Sequence, residues 1–183
     1  FRHFAIDGQP HRPPADGFYS TDAFTDRAMA MLREHKGDRP FFLYLAYNAV
    51  HHPWQVPEKY LARTKDLPGG EDRRFFAAMV MAMDDGIGRV LKTLDDEGIA
   101  DNTLVIFLSD NGGTINTYSN NAPLRGYKYM FGEGGIRVPF IVAWPGKIPG
   151  GMSKSSLASA MDIFPTLLEL ADSERPKNLD GKS

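Results

Sequence analysis

The pattern of apolar and polar positions divides the chain into recognisable pieces. Before Pro40 a helical period covers about Asp22–Lys36, with Phe24, Ala28, Met31 and Leu32 on one face. Ser20 or Thr21 is the expected cap, and Gly37 stops the helix after Arg33, His35 and Lys36 in its last turn. From Phe41 to Tyr47 every position is apolar, which predicts a strand covered on both faces, as in a parallel sheet. After a proline-broken loop, Phe75, Met79, Met83, Ile87, Val90, Leu91 and Leu94 predict one long helix from about Glu71 to Glu97, ended by Gly98. Thr103–Leu108 and Pro139–Trp144 predict two more buried strands. A final helix is predicted over about Met161–Ala171, with Pro165 near its start, where the missing N–H costs little. The first twenty residues, broken by proline and glycine, predict loop.

Strand, long helix and strand make a βαβ unit, which implies an α/β fold with a mainly parallel sheet flanked by helices. The 183 residues suit one domain, taken here as residues 1–183. Ligands of such sheets sit beyond the carboxyl ends of the strands. Two polar clusters fall there, Asn48–His52 after the first strand and Ser109–Gly113 after the second.

Composition narrows the options. With 42% hydrophobic and 24% charged residues the chain is an ordinary globular sequence. Lys and Arg (21) nearly balance Asp and Glu (23), so the net charge of −2 recommends neither nucleic acid nor an anionic membrane. No apolar run reaches the roughly 20 residues of a membrane span. There is no cysteine, so disulfides, thiolate metal sites and a thiol nucleophile are excluded within this stretch.

Asp110-Asn111-Gly112-Gly113 follows a strand and offers hard oxygen ligands of the kind Ca²⁺ or Mg²⁺ selects. By itself the tetrapeptide reads first as an Asx-type turn. His51 and His52 precede Pro53; a histidine there can hydrogen-bond an anion or protonate a departing oxygen, although paired loop histidines are more often surface residues. Arg125-Gly126-Tyr127-Lys128 and Gly132-Glu133-Gly134-Gly135 form a glycine-rich loop able to wrap an oxyanion, with Lys128 as a point charge, or else a solvated surface loop. Asp84 and Asp85 read as a helix-surface pair, the methionines around them as core, and Glu71–Arg74 as a solvated first turn. Asp162 reads as a cap of the last helix or a tie to the third strand.

Taken in order, several segments resemble the sulfatase family of the alkaline-phosphatase-like fold. They are PFFLYLAYNAVHHP (40–53), MDDGIGRVL (83–91), NTLVIFLSDNGG (102–113), LRGYKYMFGEGGIRVP (124–139), WPG (144–146) and MDIFPT (161–166). The resemblance runs from about Phe18 to Ala171. It implies that Asp110 and Asn111 are two ligands of a divalent cation, usually Ca²⁺ with Mg²⁺ as the alternative. It implies that Lys128 binds sulfate oxygens, and that His51 contacts the ester and protonates the leaving alcohol. The expected activity is sulfuric ester hydrolysis on a sulfated small molecule or polysaccharide. The family's habit places such enzymes in the periplasm, outside the cell or in the lysosome.

The departures shape further expectations. The family's nucleophile is a formylglycine made from a Cys or Ser in a Cys/Ser-x-Pro/Ala-x-Arg motif, and nothing here matches it. The early Asp pair and the Gly-Lys-Trp-His-type segment are missing too, and Val50 stands where a proline is usual. Starting at Phe1 and stopping at Ser183, the chain reads as an internal piece of the catalytic domain, expected to lack turnover alone. It is also expected to self-associate or to be marginally stable, because a cut sheet leaves an open edge. The alternatives are a phosphodiester or phosphonate hydrolase of the same fold, or a non-catalytic metal-binding module.

Overall fold

The computed structural model of the chain describes residues 4–115 and 118–183. In chain order it contains strands β1 (Phe4–Ile6) and β2 (Gln9–His11), helix α1 (Ser20–Glu34), short helix α2 (Glu58–Leu61) and the long helix α3 (Gly70–Asp96). Strand β3 (Val105–Leu108), short helix α4 (Glu133–Ile136), strand β4 (Phe140–Ala143) and helix α5 (Ile163–Leu170) follow. These elements fall into two compact units, Phe1–Ile148 and Pro149–Ser183. Among the described residues no helix is long and apolar enough to cross a membrane.

The first unit is organised by α1 against α3. Helix α1 buries Thr21, Thr25, Ala28 and Leu32, and α3 buries Ala78, Met79, Ala82, Gly86, Thr93 and Leu94. These contact faces are smaller than the stripes of large apolar residues expected from the sequence. Met31 and Leu91, expected inside, are 48% and 41% exposed. The reason is close approach: a Cβ on Gly86 would lie 2.6 Å from Thr25 Oγ1 and 3.0 Å from the Tyr47 hydroxyl. Thr25 is tolerated there because its hydroxyl meets Thr21 C=O at 2.8 Å and Tyr47 Oη at 2.8 Å.

Helix ends depart from expectation by a residue or two. Tyr19 is the N-cap of α1 and makes no side-chain cap bond, while Thr21, expected as a cap, turns into the core. His35 closes α1 by donating its N–H to Met31 C=O, and Gly37 takes its left-handed φ of 90° just beyond. Helix α3 ends as Gly98 predicts. Gly98 N–H meets Asp95 C=O and Ile99 N–H meets Leu94 C=O, both at 3.0 Å, which is a Schellman closure. The region expected as loop holds a hairpin, Phe4↔His11 to Ile6↔Gln9. Asp7 (φ 51°) and Gly8 (φ 77°) turn it in the left-handed conformation that two-residue hairpins need.

The α/β class holds, but the strand pairing differs from the parallel arrangement expected. Both ladders among the described residues are antiparallel, β1 with β2 and β3 with β4, the latter from Val105↔Ala143 to Leu108↔Phe140. Among the described residues the segment 41–47 joins no ladder. A parallel strand apolar on both faces needs cover on both, and this one has it on one. Phe42 and Tyr44 are 76% and 81% exposed, whereas Leu43, Leu45 and Tyr47 alternate inward.

In the second unit a 3₁₀ turn (Ala160–Asp162) leads into α5. Ser159 Oγ accepts the Met161 N–H at 3.3 Å, and Asp162 Oδ2 accepts the Ser159 N–H at 2.8 Å, a reciprocal cap. The other Asp162 oxygen accepts the Lys182 N–H at 2.8 Å. Asp162 occupies the N-cap position of α5 without a side-chain cap bond to that helix, and its carboxylate instead completes the capping box of the preceding 3₁₀ turn.

Candidate functional site

Strand β3 delivers Ser109–Gly113 at its carboxyl end, and the glycine-rich loop 125–135 is fastened to that turn by backbone. Gly112 N–H donates to Gly135 C=O at 2.8 Å and Lys128 N–H to Gly113 C=O at 3.1 Å, while within the loop Gly134 N–H donates to Arg125 C=O at 2.9 Å. Such approach excludes side chains. A Cβ on Gly112 would sit 1.8 Å from Gly134 O, and one on Gly135 would sit 2.3 Å from Met130 O. Here the glycines serve proximity rather than flexibility.

Asn121 ties the knot together, and nothing in the sequence pattern had singled it out. Its Oδ1 accepts the Gly113 N–H at 3.0 Å, while Nδ2 donates to Gly113 C=O at 2.9 Å and to Gly126 C=O at 3.2 Å. One carboxamide thus replaces a missing stretch of ladder between the two loops. Its signal in sequence is only an amide-rich turn, Asn120-Asn121-Ala122-Pro123. Beside it lies a shallow hollow of about 240 Å³ whose lining includes Thr114, Ser119, Asn121, Leu124 and Tyr127.

Asp110 is exposed and Asn111 half-buried. Ser109 Oγ donates to Asn111 C=O at 3.0 Å, bracing the turn from behind. Lys128 Nζ lies 5.6 Å from the centroid of the Tyr129 ring. The fold therefore gathers the segments of three predicted site residues, Asp110, Asn111 and Lys128. His51 stands apart: no hydrogen bond, ion pair or ring contact joins it to those three among the described residues.

His51 is nevertheless held. Tyr47, just upstream, is pinned at the α1–α3 crossing, and the His51 N–H closes a turn on Asn48 C=O at 2.8 Å. His51 Nδ1 meets His52 C=O at 2.6 Å. A carbonyl can only accept, so Nδ1 carries the proton and Nε2 is the ring nitrogen left for a ligand. The His52 ring meets Trp54 edge-on at 5.6 Å, and Trp54 meets Tyr118 at 6.2 Å. Those rings connect the histidine loop to the loop that carries Asn121. Arg73 Nη1 donates to Tyr118 C=O at 2.9 Å, so the first turn of α3, expected to be solvated, braces that loop. Asp85 pairs with Arg63 on the surface and Asp84 is exposed, as a helix-surface pair should be.

The donors Asp110 and Asn111 are hard oxygens that suit a divalent cation, and they would supply two of the roughly six to eight ligands calcium takes. Among the described residues no group of three or more His, Cys, Asp or Glu gathers to complete such a shell. The pair fits part of a cation site.

The sulfatase family model matches residues 3–173, nearly the whole chain. The chain belongs to the sulfatase family. It is 38% identical over 181 residues to a sulfatase of Formosa agariphila, covering 89% of this chain and 32% of that one. It is 37% identical over 168 residues to arylsulfatase J of Mus musculus, covering 91% and 28%. The structure of Ps i-CgsB in complex with k-i-k-neocarrahexaose superposes with a TM-score of 0.90 at 37% identity, covering 96% of this sulfatase chain and 39% of that one. The sulfatase neighbours share the alkaline-phosphatase-like α/β fold, of which this chain forms part. The chain spans about a third of the length of the curated relatives it matches, and family membership implies a divalent metal.

Proposed function

We propose that this sulfatase chain supplies the leaving-group side and part of the cation side of a sulfate-ester hydrolase, with Lys128 binding the sulfate. The observation that carries the reading is the backbone-bonded knot joining Asp110–Asn111 to Lys128, with Lys128 N–H on Gly113 C=O at 3.1 Å. Such a junction fixes the backbone of Lys128 to that of the Asp110–Gly113 turn without mobile linkers, which supports a reading of preorganised charge stabilisation.

In this reading Asp110 and Asn111 hold a divalent cation, calcium by family habit with magnesium as the alternative. When bound, the cation neutralises charge on the sulfuryl oxygens. Lys128 Nζ holds a sulfate oxygen as a point charge. His51 acts through Nε2: as imidazolium it gives its Nε2 proton to the ester oxygen as the sulfur–oxygen bond breaks, and the alcohol leaves neutral. The nucleophile, a formylglycine hydrate in this family, comes from a motif this sequence does not contain. The substrate class is a sulfated carbohydrate, supported by the saccharide complex of the 37%-identical neighbour.

The test is kinetic, in the intact protein. Lys128→Ala is expected to lower kcat/KM for sulfate esters by about 100-fold or more, the scale of removing one charge-stabilising donor. His51→Gln is expected to cost esters of poorly leaving alcohols more than esters of good leaving groups. Preferential hydrolysis of phosphate diesters over sulfate esters would instead support the phosphoester alternative within the fold.

A further inference from the structure

Lys128 and Tyr129 are the central residues of a four-residue turn closed by the Met130 N–H on Tyr127 C=O at 2.9 Å. Tyr129 has a φ of 78°. That is the left-handed value of the third position in a type II turn, which glycine fills freely and a bulky residue does not. Glycine is abundant around this turn, at 126, 132, 134 and 135, yet the strained position carries a tyrosine. The strain gains no burial in return. The Tyr129 side chain is 87% exposed, and its hydroxyl makes no hydrogen bond among the described residues. What the conformation does achieve is to set an aromatic face beside the Lys128 ammonium, at 5.6 Å from centroid to Nζ.

A strained backbone that presents an unburied side chain next to a charge is the pattern of a ligand contact. We propose that Tyr129 determines specificity: its ring is the platform for the sugar ring whose sulfate Lys128 holds. This rests on the sulfate-ester reading above and adds the side of the substrate that leaves as alcohol. When an anionic oxygen draws the ammonium off the ring, the aromatic face is freed for the C–H edges of a pyranose. The phenolic hydroxyl can then donate to or accept from the sugar's own hydroxyls, using both parts of an amphipathic side chain. An aryl ester would use only the face, so the free hydroxyl favours the carbohydrate.

The experiment compares wild type, Tyr129→Gly and Tyr129→Phe in the intact protein. It measures calorimetric Kd for a sulfated disaccharide and for inorganic sulfate, and kcat/KM for that disaccharide and for 4-nitrophenyl sulfate. Tyr129→Gly is expected to melt no lower than wild type, because glycine relieves the strain. It is expected to weaken the disaccharide by about tenfold in both Kd and kcat/KM while leaving inorganic sulfate within about twofold. Tyr129→Phe is expected to lose about threefold, the hydroxyl's share. Unchanged disaccharide binding in Tyr129→Gly overturns the proposal. So does a parallel loss of inorganic sulfate, which would make Tyr129 a mere holder of Lys128, or an equal loss for 4-nitrophenyl sulfate. If the intact protein hydrolyses no sulfate ester but the tenfold loss of disaccharide binding persists, the hydrolase reading fails and the platform stands. Hydrolysis that ignores position 129 sinks the platform alone.

Discussion

At the scale of single residues, the site is held by groups that do no chemistry. Asn121 bridges Gly113 and Gly126 with one carboxamide, so its two ends can be tested separately. Asn121→Asp keeps the acceptor for the Gly113 N–H but turns the donor into an oxygen facing two carbonyls. Stability is expected to fall by about 1–3 kcal/mol, the cost of leaving such groups unpaired. In amide hydrogen exchange Gly113 should stay protected, while the Lys128 N–H, bonded to Gly113 C=O, should exchange markedly faster. An unchanged Lys128 amide would show that the backbone knot stands without Asn121. Asp110, Asn111, His51 and Lys128 were readable as candidates from residue type together with the family resemblance, and their roles stand as proposals. Asn121 and Tyr129 were not, since their meaning lies in which carbonyl an amide meets and in a φ angle. Neither is written in residue identity.

At the scale of elements, the helices were legible because periodicity survives without knowledge of the partner. Helix α3 was expected over about Glu71–Glu97 and spans Gly70–Asp96. The packing face was harder to read, since the contact of α1 with α3 is chosen for smallness, which a hydrophobic pattern does not encode. Gly86→Ala tests it. The added Cβ would lie 2.6 Å from Thr25 Oγ1 on a rigid helix, so a loss of about 1–3 kcal/mol is expected in urea unfolding. Loosening of Tyr47 should accompany it, read from exchange at the Asn48–His51 turn. Strand direction was not legible either, because an apolar run says only that a strand is buried and never which neighbour it meets. In the second unit the capping box of the 3₁₀ turn before α5 predicts a pH dependence. Backbone N–H groups of Lys182 and then Ser159 hold the Asp162 carboxylate below its ordinary value of 3.8. A depressed folded value contributes stability above the unfolded one and loses it as pH falls through the folded one. Protection of the Ser159 and Lys182 amides is therefore expected to be steady near neutrality and to collapse below about pH 4. In Asp162→Asn it should be weaker throughout and flat with pH.

At the scale of the molecule, the chain spans about a third of the length of its curated relatives and leaves apolar side chains uncovered. Residues 41–47 have no ladder partner among the described residues, and Phe42 and Tyr44 stand 76% and 81% exposed on one face. Ile141 of β4 is 59% exposed as well. Unpaired backbone beside aromatic side chains is a template for pairing with another chain, and natural edges are normally blunted by charge or proline. Between Phe41 and Tyr47 there is neither. Expressed by itself, this chain is expected to sediment with a weight-average mass that rises with concentration. Phe42→Lys combined with Tyr44→Glu should return it toward a monomer, because both side chains already point outward and their replacement empties no core. A wild-type chain that stays monodisperse across the concentration range and melts cooperatively would show that the edge is harmless. A double variant that associates as strongly as wild type would instead move the contact elsewhere on the surface.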